Sequence, residues 1–196
     1  MKSIAFFDFD KTVYRKDSML VFMKTVNGNF VLILSLIRVF PLFLLSKLKL
    51  YPLKKTKEKL LAVHFKGKKP EDLDPIQADF CNTLDMGIYP AAKAKLMQHK
   101  QLGHELCVVS ASCDLWLKEW CKKEGVDLIC SQMEISENNR YTGKLKGENC
   151  RGREKVVQIK KHYQLSDYKQ IYVYGRGSGD YEMLTLANQP FEQIYN

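Results

Sequence analysis

The spacing of its strand-like runs limits what this chain can fold into more than any other feature. A short apolar run at residues 3–8 stands alone near the N-terminus. Comparable runs return only at 104–110 ("HELCVVS"), 127–131 ("DLICS") and 170–174 ("QIYVY"). Helical spacing follows at 113–123, 152–163 and 179–188, and a mostly helical block fills about 17 to 101. Strands that alternate with helices pair in parallel, and the crossovers cover both faces of the sheet. The expectation is an α/β fold: a core from residues 1–14 and 101–196, with an all-helical cap, 15–100, inserted after the first strand. Residues 136–149 ("SENNRYTGKLKGEN") read as a polar turn or short hairpin, and "PFEQIYN" is a last apolar stretch. With 196 residues and 45% hydrophobic content, one domain plus an insert can bury a sizeable core.

The insert is the unusual part. Phe30 to Leu45 is apolar except for Ser35 and Arg38, shorter than the ~20 residues a spanning helix needs, and Pro41 is expected to kink it. Nine lysines and a single acid, Glu58, lie between Lys47 and Lys69, so nearly all of the chain's net charge of +9 sits there. Two readings stay open. One is a helix buried in a cap or dimer interface with a solvated lysine face after it. The other is peripheral membrane contact through residues 30–69, apolar side chains entering the headgroup region and lysines meeting anionic lipid. A nucleic acid partner is not expected, because the adjoining apolar run has nothing to meet on a phosphate backbone.

Six cysteines, at 81, 107, 113, 121, 130 and 150, form no C-x-x-C pair and no zinc spacing, a pattern of reduced cysteines that points to the cytoplasm. "MKSIAFFDFD" meets two acids before any long apolar segment, so no signal peptide is expected.

Ligands of such sheets bind outside the carboxyl ends of the strands. Asp8 and Asp10 follow the first strand, Ser110 the second, and Asp180 the glycine turn "YGRGSGD" after 170–174; Lys155 opens a helix in "CRGREKV". Acids at i and i+2 of an extended segment point the same way, so Asp8 and Asp10 can converge on one ligand. One could attack phosphorus while the other protonates a leaving alkoxide. Ser110 and Lys155 would hold phosphoryl oxygens, and a divalent cation would offset the repulsion between two anions. Taken singly, a D-x-D is a turn or cap, a serine an N-cap and a lysine a solvated charge. Their order at successive strand ends carries the site.

These motifs resemble the haloacid dehalogenase superfamily. "DFDKT" is similar to its first motif, D-x-D-x-T/V, and "VVSAS", "CRGREKV" and "YGRGSGDYEMLTLA" are similar to the motifs that follow in its phosphoserine-phosphatase-like branch, where a helical cap lies between the first and second motifs. The "DKT" string also occurs in cation-pumping ATPases, but there the sequence continues G-T and here Val13 and Tyr14 follow. The resemblance covers residues 3–14 and about 104–190 and implies a Rossmann-like three-layer core. It implies that Asp8 is the nucleophile of an aspartyl-phosphate and that Asp10 is general acid and base. It further implies that Thr12 supports the turn and that Ser110, with Ala111 beside it, and Lys155 bind the phosphoryl group. Magnesium would be held by Asp8, Asp10 through its carbonyl, and Asp180. An aspartate at position 10 argues for ester hydrolysis over dehalogenation, since an alkoxide leaves with a proton and a halide without one.

One residue departs from the pattern. The fourth motif commonly reads G-D-S-x-G-D, and Arg176 falls on its metal-binding acid. A guanidinium cannot ligate a cation. Either Arg176 points away and Asp180 takes the metal, or Arg176 stands in for the cation, or the protein is a disarmed phosphate-binding module. The apolar, lysine-rich insert resembles those of membrane-lipid phosphatases such as the phosphatidylglycerophosphate phosphatases. Two substrates remain open, a lipid headgroup and a small soluble phosphomonoester such as phosphoserine.

Overall fold

The computed structural model describes residues 2–188. Strand β1 (Lys2–Phe7) is followed by four helices, α1 (Ser18–Lys47), α2 (Leu53–Phe65), α3 (Asp74–Met86) and α4 (Pro90–Gln101). Then come β2 (Glu105–Cys113), α5 (Asp114–Glu124), β3 (Asp127–Ile135), β4 (Tyr141–Lys146), α6 (Arg153–His162), β5 (Tyr168–Tyr174) and the short α7 (Tyr181–Leu184). The sheet runs β4-β3-β2-β1-β5 and is parallel except for β4. The expected α/β class is present, and the polar stretch after 135 forms the β3–β4 hairpin. The stretch "PFEQIYN" lies outside the described residues, the last of which, Asn188, accepts the Ile171 N–H at 2.7 Å.

Alternation along β1 sets the layers. Ile4 and Phe6 face a cluster with Val109, Val173, Ile159 of α6 and Met183 of α7. Ala5 and Phe7 face the opposite cluster with Val108, Tyr174, Trp120 of α5 and the insert. A parallel strand buried on both sides reads as a continuous apolar run, as β1 does. The chain steps from β1 to β2 to β3 in one direction and returns to place β5 on the other flank of β1. The point where the order reverses is therefore the carboxyl end of β1 and β5, the usual place for a ligand crevice.

Aromatic packing joins the insert to the core. Phe22 of α1 meets Phe80 of α3 edge-on at 4.9 Å and stacks on Trp116 of α5 at 5.6 Å. Such pairs each add about 0.5–1.5 kcal/mol beyond area burial. Gly143 on β4 lets α2 lie against the hairpin, since a Cβ there would sit 2.4 Å from the Ala62 Cα. Helix α4 lies on the sheet itself: its buried His99 packs edge-on against Phe7 and Tyr172 and bonds the Tyr174 hydroxyl at 2.9 Å.

Two local expectations are corrected. The break in α1 is at Gly28 (φ 79°, ψ 170°), and Pro41 sits within helical backbone. Glycine adopts that backbone readily, whereas a proline in a partly exposed helix loses one hydrogen bond and can be carried by its neighbours. The apolar run is also part of a longer element than its composition suggested, because Asp17 caps the helix well upstream by accepting the Leu20 N–H. By length and composition Ser18–Lys47 as a whole is long and apolar enough to cross a membrane, but the break at Gly28 divides it into two arms.

Candidate active site

The end of β1 is held by its neighbour: the Asp8 N–H donates to the Tyr174 carbonyl at 2.8 Å. The chain then turns through Lys11, which takes a left-handed φ of 64°. That turn brings the Thr12 hydroxyl back to donate to Asp8 Oδ2 at 2.9 Å. From α6, Lys155 reaches under the sheet's carboxyl edge. Its ammonium, 1% exposed, donates to Asp8 Oδ1 at 2.7 Å, Asp180 Oδ1 at 2.7 Å and the Val109 carbonyl at 2.6 Å. Lys155 thereby links the end of β1, the middle of β2 and the glycine turn after β5.

Burial pulls the Lys155 ammonium down, but the Asp8 and Asp180 carboxylates outweigh it and hold its pKa above the ordinary lysine value. Burial raises the Asp8 carboxyl, with Lys155 and the Thr12 hydroxyl opposing by favouring its charged form. Among the described residues Asp10 has only neutral donors, the Ser18 N–H at 2.7 Å and the Ser112 hydroxyl at 2.5 Å. Burial, with Asp17 nearby, pushes it up to about 7. Two aspartates two residues apart thus have opposite companions: a cation beside Asp8, and hydroxyl and amide donors around Asp10. Among the described residues they share no hydrogen-bond partner, and each carboxylate has its own network.

The remaining expected residues are placed as follows. Ser110, expected just after the second strand, lies within β2, where the pairing with β3 shifts before Cys113; it is buried, and its Oγ accepts the Ser112 N–H at 3.0 Å. The carbonyl of Ala111 accepts from the ammonium of Lys57, which comes from α2 of the insert. Lys57 also donates to Asn149 Oδ1 at 2.9 Å. Asp180 is buried in the glycine turn; its Oδ2 accepts the backbone N–H groups of Gly177 at 2.9 Å and Arg176 at 3.2 Å. Gly175 permits this, because a Cβ there would lie 2.8 Å from that of Asp180. The Arg176 side chain is exposed.

The residues do not fit the magnesium set that the motif resemblance implies. Both oxygens of Asp180 are engaged, one by Lys155 and one by backbone amides, and both oxygens of Asp8 are bonded, one to Lys155 and one to Thr12. Among the described residues no group of three or more His, Cys, Asp or Glu side chains is arranged to hold a metal ion. Position 176, where a further acid would sit, carries a cation instead. The Arg176 side chain is exposed, and Asp180 is Lys155's partner and is not free to replace the acid.

Several participants escaped the sequence. Ser112 and Ser18 bond each other at 2.9 Å across 94 residues, and the Trp116 indole N–H donates to Ser18 at 3.0 Å, so the start of the cap holds Asp10. Lys57 was one lysine of a charged run. Only the packing of α2 on the hairpin turns it inward.

The pattern of the haloacid dehalogenase-like hydrolase family matches residues 5–185. Protein CicA of Caulobacter vibrioides is 32% identical over 107 residues, 54% of this chain and 48% of that protein, so the chain spans about half the length of this curated relative. A protein of unknown function from Bordetella pertussis Tohama I superposes with a TM-score of 0.82 at 19% identity, covering 96% of this chain and 88% of that one. A substrate-bound phosphoserine phosphatase superposes with a TM-score of 0.67 at 16% identity, covering 95% and 83%. Matched along nearly its whole described length, the chain belongs to the haloacid dehalogenase-like hydrolase family, and its fold is the one found in the phosphoserine-phosphatase-like branch.

Proposed function

We propose that this protein hydrolyses a phosphomonoester through an aspartyl-phosphate on Asp8. The observation that carries the reading is the buried Lys155, bonded at once to Asp8 and Asp180 at the point where the strand order reverses. A carboxylate oxygen of Asp8 attacks phosphorus and the phosphorus–alkoxide bond breaks. Asp10, whose carboxyl is about half protonated near neutrality, gives its proton to the leaving alkoxide. A water then loses a proton to Asp10 and attacks phosphorus, releasing phosphate and restoring the Asp8 carboxylate. Lys155 and the Ser110 hydroxyl offset charge on the phosphoryl oxygens throughout.

Phosphatases of this family generally use magnesium. Here the acidic set is one member short, and the cation beside Asp8 is the Lys155 ammonium. The Lys57 ammonium at Ala111 adds positive charge on the cap side, which suits a substrate with negative charge beyond the reacting phosphate: a lipid headgroup or a small carboxylated phosphomonoester such as phosphoserine. Six unpaired cysteines are consistent with action in the cytoplasm.

Arg176 supports a second reading, a phosphate-binding module that has lost turnover. Hydrolysis of an aryl phosphate, set beside calorimetric binding of inorganic phosphate, separates the two. Turnover that disappears in Asp8→Asn supports the enzyme. Phosphate binding without turnover in the unaltered chain supports the module, and turnover unchanged in Asp8→Asn defeats the mechanism.

A further inference from the structure

The second arm of α1, from Asn29 to Lys47, is about 28 Å long. It is apolar around most of its circumference, yet only one stripe is covered. Ser35 and Val39 are buried and Leu32, Leu42 and Ser46 half-buried against α2. Polar bonds fix that stripe: Ser35 Oγ lies 2.9 Å from His64 Nε2, and Ser46 Oγ 2.6 Å from Thr56 Oγ1. The opposite stripe, Phe30, Ile33, Ile37, Phe40 and Leu44, is 46% to 80% exposed. The turn that follows adds Leu48 and Leu50, 67% and 73% exposed. So many large side chains turned outward on one helix face is the signature of a surface that meets something apolar.

The charges at the carboxyl end of the stripe and on the helix that follows say what. Lys47 lies over the Phe43 ring at 5.3 Å, and Lys49, Lys55 and Lys59 are exposed on the turn and on the outer face of α2. The single acid of this segment, Glu58, is turned inward and accepts the Leu145 N–H. A second copy would bring the same lysines against one another, and a nucleic acid would leave the stripe in water. A helix crossing the bilayer would carry its serine stripe and the lysines of α2 into hydrocarbon. We infer that this face docks in the plane of an anionic phospholipid surface, the apolar stripe entering the headgroup boundary and the lysines meeting lipid phosphates and carboxylates. This surface is independent of the chemistry at Asp8.

The test is vesicle flotation of the full chain with phosphatidylcholine alone and with phosphatidylcholine mixed with phosphatidylserine. The unaltered protein is expected to float with the mixed vesicles and to be released by salt. Ile37→Gln with Phe40→Gln lowers partitioning at least about tenfold, by loss of buried apolar area. Lys47→Gln with Lys49→Gln and Lys55→Gln lowers it roughly a hundredfold, on the mixed vesicles only. All five positions are exposed, so unfolding curves should match the unaltered chain's, and hydrolysis of a soluble aryl phosphate should be unchanged even if docking fails. Two results overturn the inference: no flotation of the unaltered protein, or a lipid-free dimer that the Ile37→Gln, Phe40→Gln pair converts to a monomer.

Discussion

Lys155→Met tests the core of the site by removing its cation while keeping the volume of the aliphatic stem. The ammonium is 1% exposed and makes three bonds of 2.6–2.7 Å, two of them to the carboxylates of Asp8 and Asp180. Without it two acids face each other in a buried space. Breaking a buried pair from one side costs about 3–5 kcal/mol, because the partner charge stays behind uncompensated. At roughly 2–4 °C per kcal/mol for a chain of this size, the midpoint of thermal unfolding should fall by roughly 6–20 °C near neutral pH. The pH dependence has a definite sign. In the variant Lys155 no longer opposes the burial that raises the Asp8 carboxyl, so the folded state binds a proton there more readily than the unfolded chain, and stability should recover as pH falls. Asp180→Asn added to Lys155→Met should return about 0.5–3 kcal/mol, since one of the stranded charges is gone. Urea unfolding of the single and double variants at two pH values measures all of this. A loss under about 1 kcal/mol with no recovery in acid would mean that Lys155 does not hold the two carboxylates.

Three further outcomes follow from particular contacts. Burial, with His104 beside it, pulls His99 down to about 4 from the ordinary 6.5. The unfolded chain therefore takes up a proton that the folded one refuses between those values, and stability is lost as pH falls through 6.5 toward 4. The loss should be about 1–2 kcal/mol after allowing for solvent screening. Urea midpoints above pH 6.5 and near pH 5 should differ by that amount, and His99→Gln should flatten the difference; an unchanged slope in the variant rules it out. Gly175→Ala places a methyl 2.8 Å from the Asp180 Cβ, so it should cost about 1–3 kcal/mol and lower turnover together as Asp180 shifts from Lys155. Arg176→Asp supplies the missing acid and should raise aryl phosphate hydrolysis and make it depend on added magnesium. No gain in either respect would clear Arg176 of responsibility.

The sheet was legible because its signals are local. The run 3–8 ends in acids where β1 ends, and 136–149 carries hairpin composition without a long apolar segment. The polar shell around Asp10 was not legible, because Ser18 and Ser112 meet across 94 residues and neither stands in an unusual local pattern. The break in α1 was assigned to Pro41 because proline is the stronger helix breaker in isolation; Gly28, which can take φ 79°, instead absorbs the change of direction where the helix leaves the core. Lys57 looked like its neighbours in a charged run, and only α2's seat beside Gly143 turns it toward Ala111. The exposed stripe of α1 is the same kind of case. Composition showed an apolar helix, but which residues α2 covers depends on where His64 and Thr56 stand.

The central claim, covalent catalysis at Asp8, is tested most directly by trapping the intermediate. The protein is quenched during aryl phosphate turnover, reduced with borohydride and digested with trypsin, and the peptide Ser3–Lys11 is sequenced by mass spectrometry. Reduction of an aspartyl-phosphate converts that aspartate to homoserine. The account predicts homoserine at position 8, aspartate retained at position 10, and no conversion in Asp8→Asn. Turnover with both aspartates intact, or conversion at position 10, would contradict it.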